Sequence, residues 1–110
     1  MTDEKNIINF SVYEIDKYTQ LHTYTATWCN PCKKIKPIVI EIMDIHNYKC
    51  IFEQQLDKIV FKKEINEFVP FFMIMKNSEK IDHIQTSDQD LFKKFLSRND
   101  VGKIEINEDF

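Results

Sequence analysis

The sequence predicts a single α/β domain: a central mixed β-sheet of four to five strands flanked by helices, in the order βαβαβαββα. Three observations predict it. Apolar positions switch several times between a period of about two and a period of about 3.6. The 110 residues can enclose one core but not two. No internal repeat or low-complexity run interrupts them.

Ile7-Ile8-Asn9-Phe10 reads as a short strand, and a weak helical stretch follows from Val12 to Tyr18. Leu21 to Ala26 alternates as a strand and ends just before Cys29. From Cys32 onward, Ile35, Ile38, Val39, Ile42 and Ile45 recur at helical spacing, which predicts a helix to about Asn47 with one face buried. Pro37 lies inside it, removing one hydrogen bond, so a kink is expected near Lys33 to Lys36. Cys50 to Leu56 reads as a strand, and Lys58 to Glu67 as a short helix carrying Ile59, Val60 and Ile65. The apolar run Phe71 to Met75 suits a central strand. Asn77-Ser78 then turns the chain into a hairpin partner, Lys80 to Thr86. Ser87 or Asp88 can cap a final helix to about Arg98, with Leu91, Phe92, Phe95 and Leu96 as its apolar stripe. One domain, 1–110, is therefore expected, with a core of about 7–98 and a polar tail, 99–110, that either frays or adds an edge strand.

Composition narrows the function. Hydrophobic residues at 43% and charged residues at 30% are the balance of a globular protein, and no stretch approaches the ~18 apolar residues of a membrane span. The net charge of -3 without a basic block argues against nucleic acid as a partner. The polar, acidic start Met1 to Asn6 lacks the apolar core of a secretory signal, so a reducing, cytoplasmic location is expected.

The chemistry lies in Trp28-Cys29-Asn30-Pro31-Cys32-Lys33. A CxxC pair at a helix start meets unsatisfied N–H groups and a partial positive charge, both of which stabilise a thiolate. Cys29 should be the more exposed thiol, with a lowered pKa, and so the nucleophile; Cys32 then resolves the mixed disulfide. Pro31 restricts the turn between them. A second reading is a zinc site, because Cys29, Cys32, His46 and Cys50 follow a Cys-x2-Cys, His-x3-Cys spacing. Against it, an apolar helix fills the interval and a core of this size needs no metal, so no metal site is expected. Cys50 reads as a buried core thiol. His22 and His83 read as structural, and Phe52, Phe68, Phe71, Phe72, Phe92 and Phe95 as core filling.

The hexapeptide Trp28 to Lys33, followed by Lys36-Pro37, resembles the thioredoxin active-site segment with its helix proline. Val69-Pro70 before the strand Phe71 to Met75 resembles that family's cis-proline, and the similarity spans about residues 7 to 98. The resemblance implies a thioredoxin fold and reduction of protein disulfides without a bound cofactor. It implies a monomer whose partners are disulfide-containing proteins and a reductase or dithiol system that regenerates it. Pro70 would then be cis against the cysteine pair, Val69 would offer its backbone to an extended substrate, and Trp28 would join the docking surface. Several positions depart from the family. Asn30 replaces a glycine next to the nucleophile, and Thr23 stands where a buried aspartate assists the resolving thiol. Glu53 falls about where a lysine pairs with that aspartate, which makes it a candidate proton-transfer carboxylate; the plainer reading is a strand glutamate facing water. Ser78 and Thr86 replace glycines, Thr86 tightening the groove beside Pro70, and Thr25 makes the approach to the motif less apolar. The alternative function is a thioredoxin-fold adaptor that docks one partner through Trp28, Asn30, Val69 and Pro70 with little turnover.

Overall fold

The computed structural model describes residues 7–57 and 69–102. Two strands, β1 (Ile7–Glu14) and β2 (Thr19–Thr25), lead into helix α1 (Asn30–Ile45) and strand β3 (Lys49–Asp57). Strands β4 (Phe71–Lys76) and β5 (Glu79–Gln85) and helix α2 (Gln89–Arg98) complete them. The expected helix over Lys58 to Glu67, Phe68 and the tail beyond Gly102 lie outside the described residues.

The α/β class holds, with one element changed. No helix forms from Val12 to Tyr18; β1 runs on to Glu14 and turns directly into β2. The reason is local. The Asp16 carboxylate accepts the N–H groups of Tyr18 and Thr19, both at 2.8 Å, and the Thr19 carbonyl accepts those of Ile15 and Asp16. A short polar side chain that satisfies the backbone this way favours a turn over a helix. The same two bonds hold the Asp16 carboxyl below its usual pKa range.

This hairpin changes the sheet. Its order is β3-β1-β2-β4-β5, with every neighbouring pair antiparallel rather than mixed. β2 and β3, joined through α1, run in the same direction, but β1 lies between them. β3 therefore becomes an edge strand. Its exposure overturns the expectation of a buried Cys50: that thiol is exposed, as are Ile51 at 50% and Phe52 at 47%.

One face of the sheet carries both helices. Leu21, Phe72 and Ile74 pack against Ile35, Val39 and Met43 of α1 and Phe92, Phe95 and Leu96 of α2, closed by Val101. Phe92 and Phe95 are the core residues the helical period predicts. α1 continues through Pro37, which cannot donate to the Lys33 carbonyl. Rings line the other face from strand to strand. Phe10 contacts Phe52, His22 and Tyr24, Tyr24 meets Phe71, and Phe71 meets His83, at centroid separations of 4.8 to 5.9 Å. His22 and His83 are thus members of a cross-strand aromatic row, and burial pushes the His22 pKa down. Phe52 and Phe71 belong to this row and not to the helix-side core.

Candidate active site

β2 and β4 are adjacent, and the loops at one end of this pair build the site. β2 ends at Thr25, Ala26 follows buried, and the chain turns at Thr27-Trp28 so that Cys29 N–H donates to the Ala26 carbonyl at 3.2 Å. Cys29 then caps α1 from extended backbone (φ -99°, ψ 111°), and its Sγ accepts the Cys32 N–H at 3.2 Å. A sulfur here satisfies one of the orphan donors at a helix start and sits at the positive end of the dipole. Pro31 falls in the first turn, where its missing N–H costs nothing.

Cys29 and Cys32 are joined as a disulfide, with Cα atoms 5.2 Å apart. Both residues are buried, Cys32 at 1% and Cys29 at 6% exposure, so Cys29 is the more exposed residue of the pair. Ala26, Trp28 and Val69 pack around the pair. The Val69–Pro70 bond is cis, as the motif implies, and Cys29 Sγ lies 3.7 Å from the Val69 carbonyl oxygen. Trp28 is half-buried, its indole N–H donating to the Ile7 carbonyl at 3.1 Å, which fastens the motif to the start of β1. Asn30, Pro31 and Lys33 are exposed beside it. The structure therefore gathers Trp28, Cys29, Cys32, Val69 and Pro70 at one place, with Asn30, Pro31 and Lys33 on its rim.

Glu53 stands apart from that group. Register places Thr23 and Glu53 on either side of Ser11 on the α1-facing side of the sheet. Two strand spacings, about 10 Å, separate the backbones of Thr23 and Glu53. Thr23 is buried and Glu53 exposed, at a polar cleft of about 320 Å³ that Asn9, Ser11, Lys36 and Gln55 also line. The Tyr13 phenol beside this strand has its pKa raised, first by burial and then by Cys50 and Glu53. Ser11 was not singled out from sequence, and Lys36 only as part of the motif segment. The polar alternation Asn9, Ser11 within an otherwise apolar strand was the available signal.

The zinc spacing does not survive folding. Cys32 and His46 lie at opposite ends of α1, about 21 Å apart along its axis. His46 stacks on Tyr48 instead, at 5.4 Å between centroids. No cluster of three His, Cys, Asp or Glu side chains able to hold a metal occurs among the described residues. Nor is any helix among them long and apolar enough to cross a membrane. Thr86 follows Gln85, which pairs with Phe71, so it stands just past the end of β5, beside Pro70, and its hydroxyl accepts the Asp88 N–H at 2.9 Å.

A central strand that delivers a CxxC pair to a helix start, faced by the carbonyl before a cis-proline, defines a thioredoxin-like domain with a redox-capable disulfide. Comparison with known proteins agrees. A family model described as Thioredoxin matches residues 8–98, and the chain belongs to the thioredoxin family. It is 31% identical over 81 residues to a Thioredoxin H-type of Brassica campestris, covering 71% of this chain and 66% of that protein. It is 28% identical over 106 residues to Thioredoxin H5 of Oryza sativa subsp. japonica, covering 90% of this chain and 76% of that protein. Thioredoxin 1 of Plasmodium falciparum is 25% identical over 77 residues, covering 68% and 74%. The chain thus spans just under two thirds of the length of the Brassica relatives it matches. No solved structure matches it significantly.

Proposed function

We propose that this protein is a thiol-disulfide oxidoreductase that reduces disulfides in other proteins, with Cys29 as nucleophile and Cys32 as resolving thiol. The observation that carries this reading is the position of Cys29 Sγ: it caps α1 and lies 3.7 Å from the Val69 carbonyl. In the dithiol form, Cys29 thiolate attacks one sulfur of a substrate disulfide and forms a mixed disulfide, releasing the other as a thiolate. Cys32 thiolate then attacks Cys29 Sγ, which closes the Cys29–Cys32 bond and frees the second substrate thiol. Two electrons and two protons from an external dithiol or reductase restore the pair. Val69 supplies backbone hydrogen bonds to an extended substrate segment, and Trp28, Asn30, Pro31, Lys33 and Pro70 form the surface around it.

We read the chain as one domain, 1–110, working as a monomer in the cytoplasm, where reduced partners keep the pair cycling. A turnover assay with a protein disulfide and a regenerating dithiol tests the mechanism. Wild type should turn over, Cys29→Ser should be inert, and Cys32→Ser should accumulate the mixed disulfide. A chain that binds its partner identically with and without Cys32, and never turns over, would instead be an adaptor.

Glu53 is proposed as the proton acceptor for Cys32. The support is its place in a row on the α1-facing side, with Ser11 in register between it and Thr23. Glu53→Gln should slow resolution of the mixed disulfide as pH falls. Equal resolution rates at every pH would make Glu53 an ordinary edge-strand side chain.

A further inference from the structure

The first two turns of α1 carry Lys33, Lys34 and Lys36, all exposed, and no acidic residue lies in the first turn. None of the three makes an ion pair among the described residues. Cations at a helix N-terminus oppose the macrodipole, and three so close repel one another, so helix stability does not account for them. They also run against the net charge of the chain, -3. Among the described acidic side chains, Glu14 and Asp16 lie at the opposite end of the sheet, Asp82 is paired with Arg98 and Asp88 caps α2, while Asp57, opposite Ile7, ends β3 at the same end as the motif. Glu53 borders the cleft with Lys36, and neither Lys33 nor Lys34 lines it.

We infer that these lysines form a docking surface for acidic polypeptide, so that the disulfides this protein reduces fastest are those flanked by Asp or Glu. The inference rests on the reductase reading above and adds its substrate class. The surface adjoins Cys29, so an acidic residue a few positions from the substrate cysteine comes within the ~10 Å over which exposed charges act at moderate salt.

The test uses the reduced protein and three peptides of equal length, each a mixed disulfide with 2-thiopyridine, whose cysteine is flanked by Asp, Asn or Lys. The readout is the second-order rate of thiopyridone release. At low salt the Asp peptide should react about tenfold faster than the Lys peptide, and the ratio should fall below about twofold in 0.5 M salt. In Lys33→Glu/Lys34→Glu the low-salt ratio should fall to one or invert. Taking the ratio within each protein cancels any change in the thiolate itself. An Asp-to-Lys ratio within about twofold at low salt, or one that survives the double substitution, overturns the inference. Failure of all three peptides to react, the neutral one included, would strike the reductase reading instead.

Discussion

Helices α1 and α2 pack on the same face of the same sheet, yet their charges are laid out in opposite ways. α2 follows helix electrostatics. Asp88 caps it through the N–H groups of Asp90 and Leu91, Asp90 sits in its first turn and Arg98 in its last. α1 inverts the pattern: a sulfur caps it, lysines fill its first turns, and Glu41 and Asp44 stand toward its C-terminal end with no base in the last turn. A helix that only had to fold would resemble α2. On the proposed function, the difference assigns the N-terminus of α1 to the sulfur chemistry and the approach of a partner, and α2 to structural support.

If that division is real, α2 substitutions should change stability and leave the cysteines' chemistry alone. The largest effect is expected at Phe95, which is fully buried between the sheet and α2. Phe95→Ala should destabilise the fold by about 3–5 kcal/mol in denaturant unfolding, by lost transfer free energy and a residual cavity. Removing the cap is smaller. Asp88→Ala should cost about 1 kcal/mol by the same measurement, with the reaction rate of Cys29 unchanged. A loss of thiol reactivity in a folded Asp88→Ala protein would break the division.

How much of this was legible in the sequence follows the range of the interactions. The CxxC cap, Pro31 in the first turn, the Asp88 cap and the Asn77-Ser78 turn are local, and they are found where the residues put them; Asn77 and Ser78 adopt positive φ of 54° and 67°. The Val12 to Tyr18 stretch was misread because periodicity over so few residues cannot separate helix from strand, and the deciding bonds come from the Asp16 side chain. Everything that follows from that hairpin is non-local. Nothing within Cys50 to Leu56 reveals that β1 will insert beside it and leave β3 at the edge, so the exposure of Cys50 and Phe52 was invisible. The separation of Glu53 from Thr23 has the same origin.

The salt bridge at the end of α2 sharpens the comparison by pH. Arg98 Nε donates to Asp82 at 2.7 Å, and Asn99 donates to the same carboxylate at 2.8 Å, tying β5 to the last turn of the helix. The Arg98 hydrogen bond, foremost, holds the Asp82 pKa at about 2, below its usual 3.8. A carboxyl depressed in the folded state stabilises it above the unfolded pKa, and that contribution is lost as pH falls from about 4 through about 2. Because Arg98 is half-exposed, the loss should stay under about 1 kcal/mol. Asp82→Asn should remove this step from the acid-unfolding curve and leave thiol reactivity at neutral pH untouched.

The smallest expected effect is the most discriminating, because its sign is a gain. Lys33→Glu/Lys34→Glu places acid where the α1 dipole favours it and removes the repulsion between the two lysines and Lys36. Stability should rise by roughly 0.3–1 kcal/mol in low salt, measured on the reduced protein so that the disulfide does not enter. The same substitutions put negative charge beside Cys29, which disfavours its thiolate, so alkylation of Cys29 near neutral pH should slow. Stability and reactivity then move in opposite directions at one end of one helix. If both fell together, the lysines would be packing elements through their aliphatic stems, and the inverted charge of α1 would be a matter of folding after all.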